Sequence, residues 1–242
     1  MKHRVSDGRG SARLRAGRGP LPYDKLTSSE GLVLVWPTVT IIHIGCLSMN
    51  RFWGETERLR SGTATCTLVS TGGLRLLVDP SPHPPELERL LFDRAGLKPA
   101  QIDAVFLTHH HGDHRYGLPL FEHARRLMAA AGLAEWRERS PEDARTIDGF
   151  EAAEDRLPEG VVLTATPGHT AAHHSLRVAS PWGPLVVAGD AAMTPDFFAA
   201  EEGYHNSTDF TAAAATIRRI RREAALVVPG HGNLIVNLPP RG

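Results

Sequence analysis

Residues 108–114 read Thr-His-His-His-Gly-Asp-His, so four imidazoles (His109, His110, His111, His114) and the Asp113 carboxylate fall within six positions. Neutral imidazole is the commonest protein metal ligand, and its ring nitrogen binds zinc at about 2.0–2.1 Å. Rings packed this closely repel one another if protonated, and burying them bare leaves nitrogens unpaired. A bound cation relieves both penalties. The plain alternatives are a solvated histidine-rich loop or an expression tag. A tag sits at a terminus and lacks the Gly112-Asp113 interruption.

Three later positions extend the pattern. Thr166-Pro167-Gly168-His169-Thr170, Gly189-Asp190 and Pro229-Gly230-His231-Gly232 each follow an apolar, β-rich run, over 161–165, 185–188 and 225–228. A Gly beside a polar residue at a strand end permits a tight turn that aims the side chain at a shared pocket. Each alone is an ordinary turn. Taken with the first cluster they bring five histidines and two aspartates to strand ends, and that joint occurrence points to a metal site.

The elements that must position these residues follow from periodicity. The apolar run 102–107 predicts a buried strand that delivers the His cluster to its end. Further strands are expected over 33–36, 39–44, 63–69, 74–78, 161–165, 175–178, 185–188 and 225–228. Thr71-Gly72-Gly73 marks a hairpin between two of them. Helices are expected over 84–95, stopped by Gly96, over 118–131 with Leu120, Phe121, Ala124, Leu127 and Met128 on one face, and from an N-cap at Ser207 to Glu223 with Phe210, Ala213, Ala214, Ile217 and Ile220 inward. Residues 132–160 read as loop with a short helix. The order gives two similar halves, favouring layered sheets flanked by helices over a strictly alternating parallel fold.

Size and composition bound the function. The chain has 242 residues, 41% hydrophobic and 22% charged, which suits a globular domain with a sizeable core. The net charge is zero, so no overall electrostatic case exists for nucleic acid or an anionic membrane. Lys2, Arg4, Arg9, Arg13, Arg15, Arg18 and Lys25 outnumber Asp7 and Asp24 near the N-terminus. Residues 1–30 are therefore expected to be a flexible basic tail, and 31–242 a single domain. The tail lacks the apolar core of a secretory signal. No uninterrupted apolar run reaches about 18 residues, so no transmembrane helix is expected. Cys46 and Cys66 read as reduced thiols of a cytoplasmic protein.

On these residues the chain resembles the metallo-β-lactamase superfamily, the αββα sandwich hydrolases. Its five signatures appear in order: Asp79 in Val78-Asp79-Pro80, the H-x-H-x-D-H motif at 109–114, Gly168-His169, Gly189-Asp190 and Gly230-His231. The resemblance covers roughly residue 38 onward. It implies an α+β, four-layer sandwich of two mixed sheets packed face to face with helices outside. It also implies two divalent ions, zinc first, with manganese or iron also fitting. His109, His111 and His169 would bind one ion, and Asp113, His114 and His231 the other. Asp190 would bridge them, and Asp79 would orient the ligand loop. His110 points to the opposite side of an extended H-x-H pair and is left out. Asp113 is also expected to act catalytically by steering the nucleophile's proton.

The family pattern implies a metal-dependent hydrolase whose bridging hydroxide attacks a small ester, thioester or lactone. Two alternatives stay open: a phosphodiesterase or ribonuclease on the same metal pair, and an iron-dependent persulfide dioxygenase. His114-Arg115-Tyr116-Gly117-Leu118-Pro119 is similar to the stretch following the motif in transfer-RNA 3′-processing nucleases, while Pro229-Gly230-His231-Gly232 is more like the thioesterase and lactonase branches. The tyrosine that quorum-signal lactonases carry just after the bridging aspartate is missing, since Ala191-Ala192-Met193 follows Asp190. His173, Tyr204 and His205 are the candidates for substrate contact. A small-molecule substrate is expected, with neither nucleic acid nor membrane as partner; a homo-oligomer is left open.

Overall fold

The computed structural model describes residues 36–237. The tail expected over 1–30, and the strand expected over 33–36 apart from Trp36, lie outside them. Among the described residues, six strands form one sheet in sequence order: β1 (Thr38–His43), β2 (Cys66–Thr71), β3 (Leu74–Val78), β4 (Ala104–Leu107), β5 (Arg125–Met128) and β6 (Glu151–Ala152). The β1–β2 and β2–β3 pairs are antiparallel, and the pairs from β3 to β6 are parallel. A second sheet holds β7 (Val161–Ala165), β8 (His174–Val178), β9 (Leu185–Gly189), β10 (Leu226–Pro229) and β11 (Ile235–Val236), also in sequence order. Of its pairs only β9–β10 is parallel. The helices are α1 (Pro84–Ala95), α2 (Ala130–Arg139), α3 (Ala144–Ile147), α4 (Pro195–Ala200) and α5 (Phe210–Glu223).

Strand alternation builds the layers. Leu76, Val78 and Phe106 point between the sheets, where they meet Leu176, Val187 and Val228. Leu77 and Val105, one residue out of phase, face the other way and pack with Leu87 and Leu91 of α1 and Trp136 of α2. On the far side, Val186, Ala188 and Val227 pack with Ile217 and Ile220 of α5 and Phe198 of α4. The result is the expected four-layer αββα sandwich.

Strand direction decides where the polar residues gather. β3 and β4 are parallel neighbours, so Asp79 and the loop after Leu107 leave from the same edge. β7 and β9 are both antiparallel to β8, and β9 is parallel to β10. Their C-terminal ends therefore also share one edge, which carries His169, Asp190 and His231.

The helix expected over 118–131 is not formed. A 3-10 turn (Leu118–Phe121) is followed by β5 and then α2. Leu127 packs between the sheets and Met128 on the outer face. Burial on two opposite faces in a short segment imitates helical spacing, and pairing to β4 decides for strand. Residues 132–160 are correspondingly more regular than expected. The N-cap of α5 is Asp209 rather than Ser207, because the Asp209 carboxylate accepts a hydrogen bond from Ala212 N at 2.9 Å. Phe210, expected inward, is 55% exposed. Cys46 and Cys66 are unpaired thiols.

Candidate metal centre

One carboxylate organises the first-sheet loop. Asp79, at φ +50°, is a non-glycine residue in the left-handed region. Its Oδ1 accepts from Thr108 N at 2.9 Å, and its Oδ2 accepts from Thr108 Oγ1 at 2.8 Å and His114 Nδ1 at 2.9 Å. These bonds fix tautomers. Because the Thr108 hydroxyl hydrogen goes to Asp79, Thr108 Oγ1 accepts from His109 Nδ1 at 3.2 Å. That leaves His109 Nε2 as a bare lone pair. His114, when neutral, likewise donates from Nδ1 and presents a bare Nε2. Across the site His231 Nδ1 donates to Thr63 O at 2.8 Å, freeing Nε2 in the neutral ring.

The free atoms converge. His109 Nε2 and His169 Nε2 lie 2.9 and 3.0 Å from His111 Nδ1. Asp190 Oδ2 faces this side, 3.1 Å from His169 Nε2 and 3.7 Å from His109 Nε2. Asp190 Oδ1 faces the other side, 3.2 Å from His114 Nε2 and 3.3 Å from His231 Nε2. Asp113 Oδ2 lies 3.6 Å from His231 Nε2. Two groups of side chains could each hold a cation: His109, His111, His169 and Asp190, and Asp113, His114 and His231, with ligand atoms within 4.8 Å of one another in each. The fully buried His114 Nε2 and Asp190 Oδ1 make no hydrogen bond, as expected of atoms shaped for a cation rather than for each other.

Glycines make this approach possible. A Cβ on Gly230 would lie 2.0 Å from Asp190 Oδ1. Gly189, at φ +53°, would carry a Cβ 2.6 Å from Thr108 Oγ1, so the two sheets' turns meet only because that atom is absent.

The electrostatics suit ligation. Burial pushes His109 far below the ordinary imidazole value, the neighbouring His114 adding to it, and burial holds His169 at about 4. Burial also disfavours charge on His114 and His231, but the Asp190 carboxylate outweighs it and holds both above the ordinary value. Burial alone would raise Asp190; the His114, His231 and His169 rings instead hold it well below the usual carboxylate range. A cation replacing those protons as the counter-charge of Asp190 leaves every imidazole neutral.

All seven side chains expected as ligands meet at this edge, with Asp79 directly behind them. His110 belongs to neither group. His173 requires a correction. It is fully buried behind His109, ring centroids 5.1 Å apart, with Nδ1 against Thr166 Oγ1 at 2.8 Å, so it does not face the cavity. His173 immediately precedes β8, and its carbonyl accepts from Thr166 N at 2.9 Å, which ties it to the end of β7. Tyr204 and His205 do line the cavity over the centre, which has a volume of about 580 Å³. The Tyr204 hydroxyl donates to Met49 O at 2.8 Å. Arg58, Arg60 and Tyr116 also line it and were not among the residues expected there. Tyr116 sits two residues past the motif and was within reach of sequence reasoning; Arg58 carries no motif signal.

A family model described as the metallo-beta-lactamase superfamily matches residues 59–231. The chain belongs to the metallo-β-lactamase superfamily. It is 32% identical over 182 residues, 69% of each chain, to metallo-beta-lactamase domain-containing protein 1 of Xenopus laevis. It is 26% identical over 183 residues to an atrochrysone carboxyl ACP thioesterase of Emericella nidulans, covering 75% of this chain and 55% of that one. It thus spans little more than half of that thioesterase. A Thermotoga maritima metallo-beta-lactamase crystal structure superposes with a TM-score of 0.63 at 20% identity, over 84% of this chain and all of the other. The protein is accordingly an enzyme of this metallo-β-lactamase hydrolase superfamily, whose fold implies divalent metal ions. Among the described residues no helix is long and apolar enough to cross a membrane.

Proposed function

We propose that this enzyme hydrolyses a small ester, thioester or lactone with two zinc ions. The observation that carries the reading is the division of Asp190, whose two carboxylate oxygens face two separate sets of imidazoles. In this reading His109, His111 and His169 hold one ion, Asp113, His114 and His231 hold the other, and Asp190 is shared. When bound, a zinc pair polarises the scissile carbonyl and lowers the pKa of water from about 15.7 toward about 7. All-nitrogen and oxygen ligation suits zinc, and manganese or iron would also fit.

The remaining roles fall to the chain's own groups. Asp113 borders the cavity and holds the proton of the attacking water at its carboxylate. Water oxygen adds to the carbonyl carbon, the C–S or C–O bond breaks, and the thiol or alcohol leaves with a proton. Arg58 on the cavity wall supplies positive potential where the leaving anion develops. Arg60 is tied to Glu55 and to Leu47 O, which holds the 47–60 segment in place. The named thioesterase relative supports an acyl rather than a phosphoryl substrate. Tyr204 and His205 are assigned to substrate contact.

Elemental analysis together with three chromogenic assays tests this. Two zincs per chain and turnover of a thioester or lactone are expected. Turnover of a phosphodiester alone would replace this reading with the nuclease one. A single iron, with oxygen uptake on a persulfide, would replace it with the dioxygenase one; the second set of ligands, His114 and His231, speaks against that.

A further inference from the structure

Beside the metal-facing cavity lies a second one of about 380 Å³, and the two share Tyr204 and His205 as a common wall. Their floor is also shared. Leu47, Met193, Phe197 and Tyr204 form one buried apolar cluster. Leu47 and Met193 face the first cavity, Phe197 the second, and Tyr204 both. The Phe197 ring packs edge-on against Phe52 at 4.8 Å and Tyr204 at 5.3 Å, which fixes the shape of the second cavity. Phe210 overhangs it, more than half exposed.

Charge separates the two cavities. At the rim of the second, Arg51 pairs with Glu202, and Glu201 with Arg221 at 3.2 Å and Arg218 at 3.7 Å. Those opposed pairs call for no ionic ligand. The first cavity instead presents Arg58, with no acidic partner among the described residues, next to the metal ligands. A departing thiolate or alkoxide develops negative charge and belongs on that arginine side. The far end of an acyl chain stays neutral through the reaction and gains from leaving water.

Resting on the acyl-hydrolase reading above, we propose that the second cavity is an acyl-chain subsite. It receives a medium-length apolar chain whose carbonyl lies at the metal ligands and whose leaving group lies toward Arg58. The enzyme therefore discriminates by acyl length.

The test uses zinc-loaded enzyme and N-acetylcysteamine thioesters from acetyl to decanoyl. Wild-type kcat/KM should rise roughly fourfold per methylene until the cavity is filled. A214W, which fills the cavity from half-buried Ala214 on α5, should collapse the decanoyl-to-acetyl ratio at least tenfold. F210S, at an already exposed ring, should lower that ratio a few-fold and carries the test if A214W does not fold. Acetyl turnover with a flat length profile overturns the subsite while leaving the hydrolase reading intact. A steep profile indifferent to both variants also overturns it, as does length dependence in the thiol instead of the acyl chain. No turnover of any ester, thioester or lactone overturns both.

Discussion

The four side chains from the first-sheet loop and the three from the second sheet are held by different means. His109, His111, Asp113 and His114 occupy one short segment whose geometry hangs on Asp79, which accepts from Thr108 twice and from His114. His169, Asp190 and His231 each leave a different strand, and they are brought together by strand direction and by backbone turns too close for a Cβ. The first arrangement is local and cooperative: one carboxylate sets two tautomers and the path of the loop. The second is distributed, so each residue depends on packing between elements far apart in sequence. Damage to the first should spread through its members, whereas damage to the second should depend on where it falls.

The largest effect is expected at the one second-sheet residue that faces both groups. Asp190→Ala should lower metal occupancy at both positions and turnover by more than about 10³-fold, read by elemental analysis and initial rates; loss of one ion with the other at full occupancy would contradict a shared role. His111→Ala should also lose metal and nearly all activity, and two ions retained would refute its assignment. Gly230→Ala comes next. A methyl 2.0 Å from Asp190 Oδ1 must displace that carboxylate, so metal loss should accompany about 1–3 kcal/mol of destabilisation in denaturant melts. Normal metal content there would mean that the turn tolerates a side chain.

Asp79→Asn probes the first sheet. It keeps the shape and removes the charge, and the amide has one acceptor oxygen where the carboxylate has two, so its NH2 must face either Thr108 N or the Thr108 Oγ1 and His114 Nδ1 donors. Metal affinity or activity should fall about 10- to 100-fold, with the loss spread over both ions because His109 and His114 serve different groups. The smallest effect is expected from Thr166→Val, behind the centre. Thr166 Oγ1 lies 2.8 Å from both His173 Nδ1 and Ser175 Oγ. Losing that link should cost about 1 kcal/mol of stability with turnover nearly intact. A large loss of activity instead would give buried His173 a part in aligning His109.

The candidate metal ligands were legible because ligation demands particular side chains, and the turns around them demand glycine. Gly189-Asp190 and Gly230-His231 announce themselves for that reason. Segments whose conformation is set by partners were not. Leu120 to Met128 carry spacing that fits a helix, and only pairing to β4 makes residues 125–128 a strand. His173 has the same chemistry as His169 four residues earlier, yet one faces the centre and the other is sealed beneath it. Arg58 and the aromatic wall of the second cavity lack any motif, since a cavity is the space between elements that meet late in the chain.

What the sequence determined by itself was the inventory of candidate ligands and the two-half order of strands, because both rest on residue type and local periodicity. What the tertiary structure decided was which oxygen of Asp190 faces which imidazoles, which histidine is buried out of reach, and where an apolar cavity opens beside the centre. Those depend on distances across two sheets, and strand direction and inter-sheet packing set them.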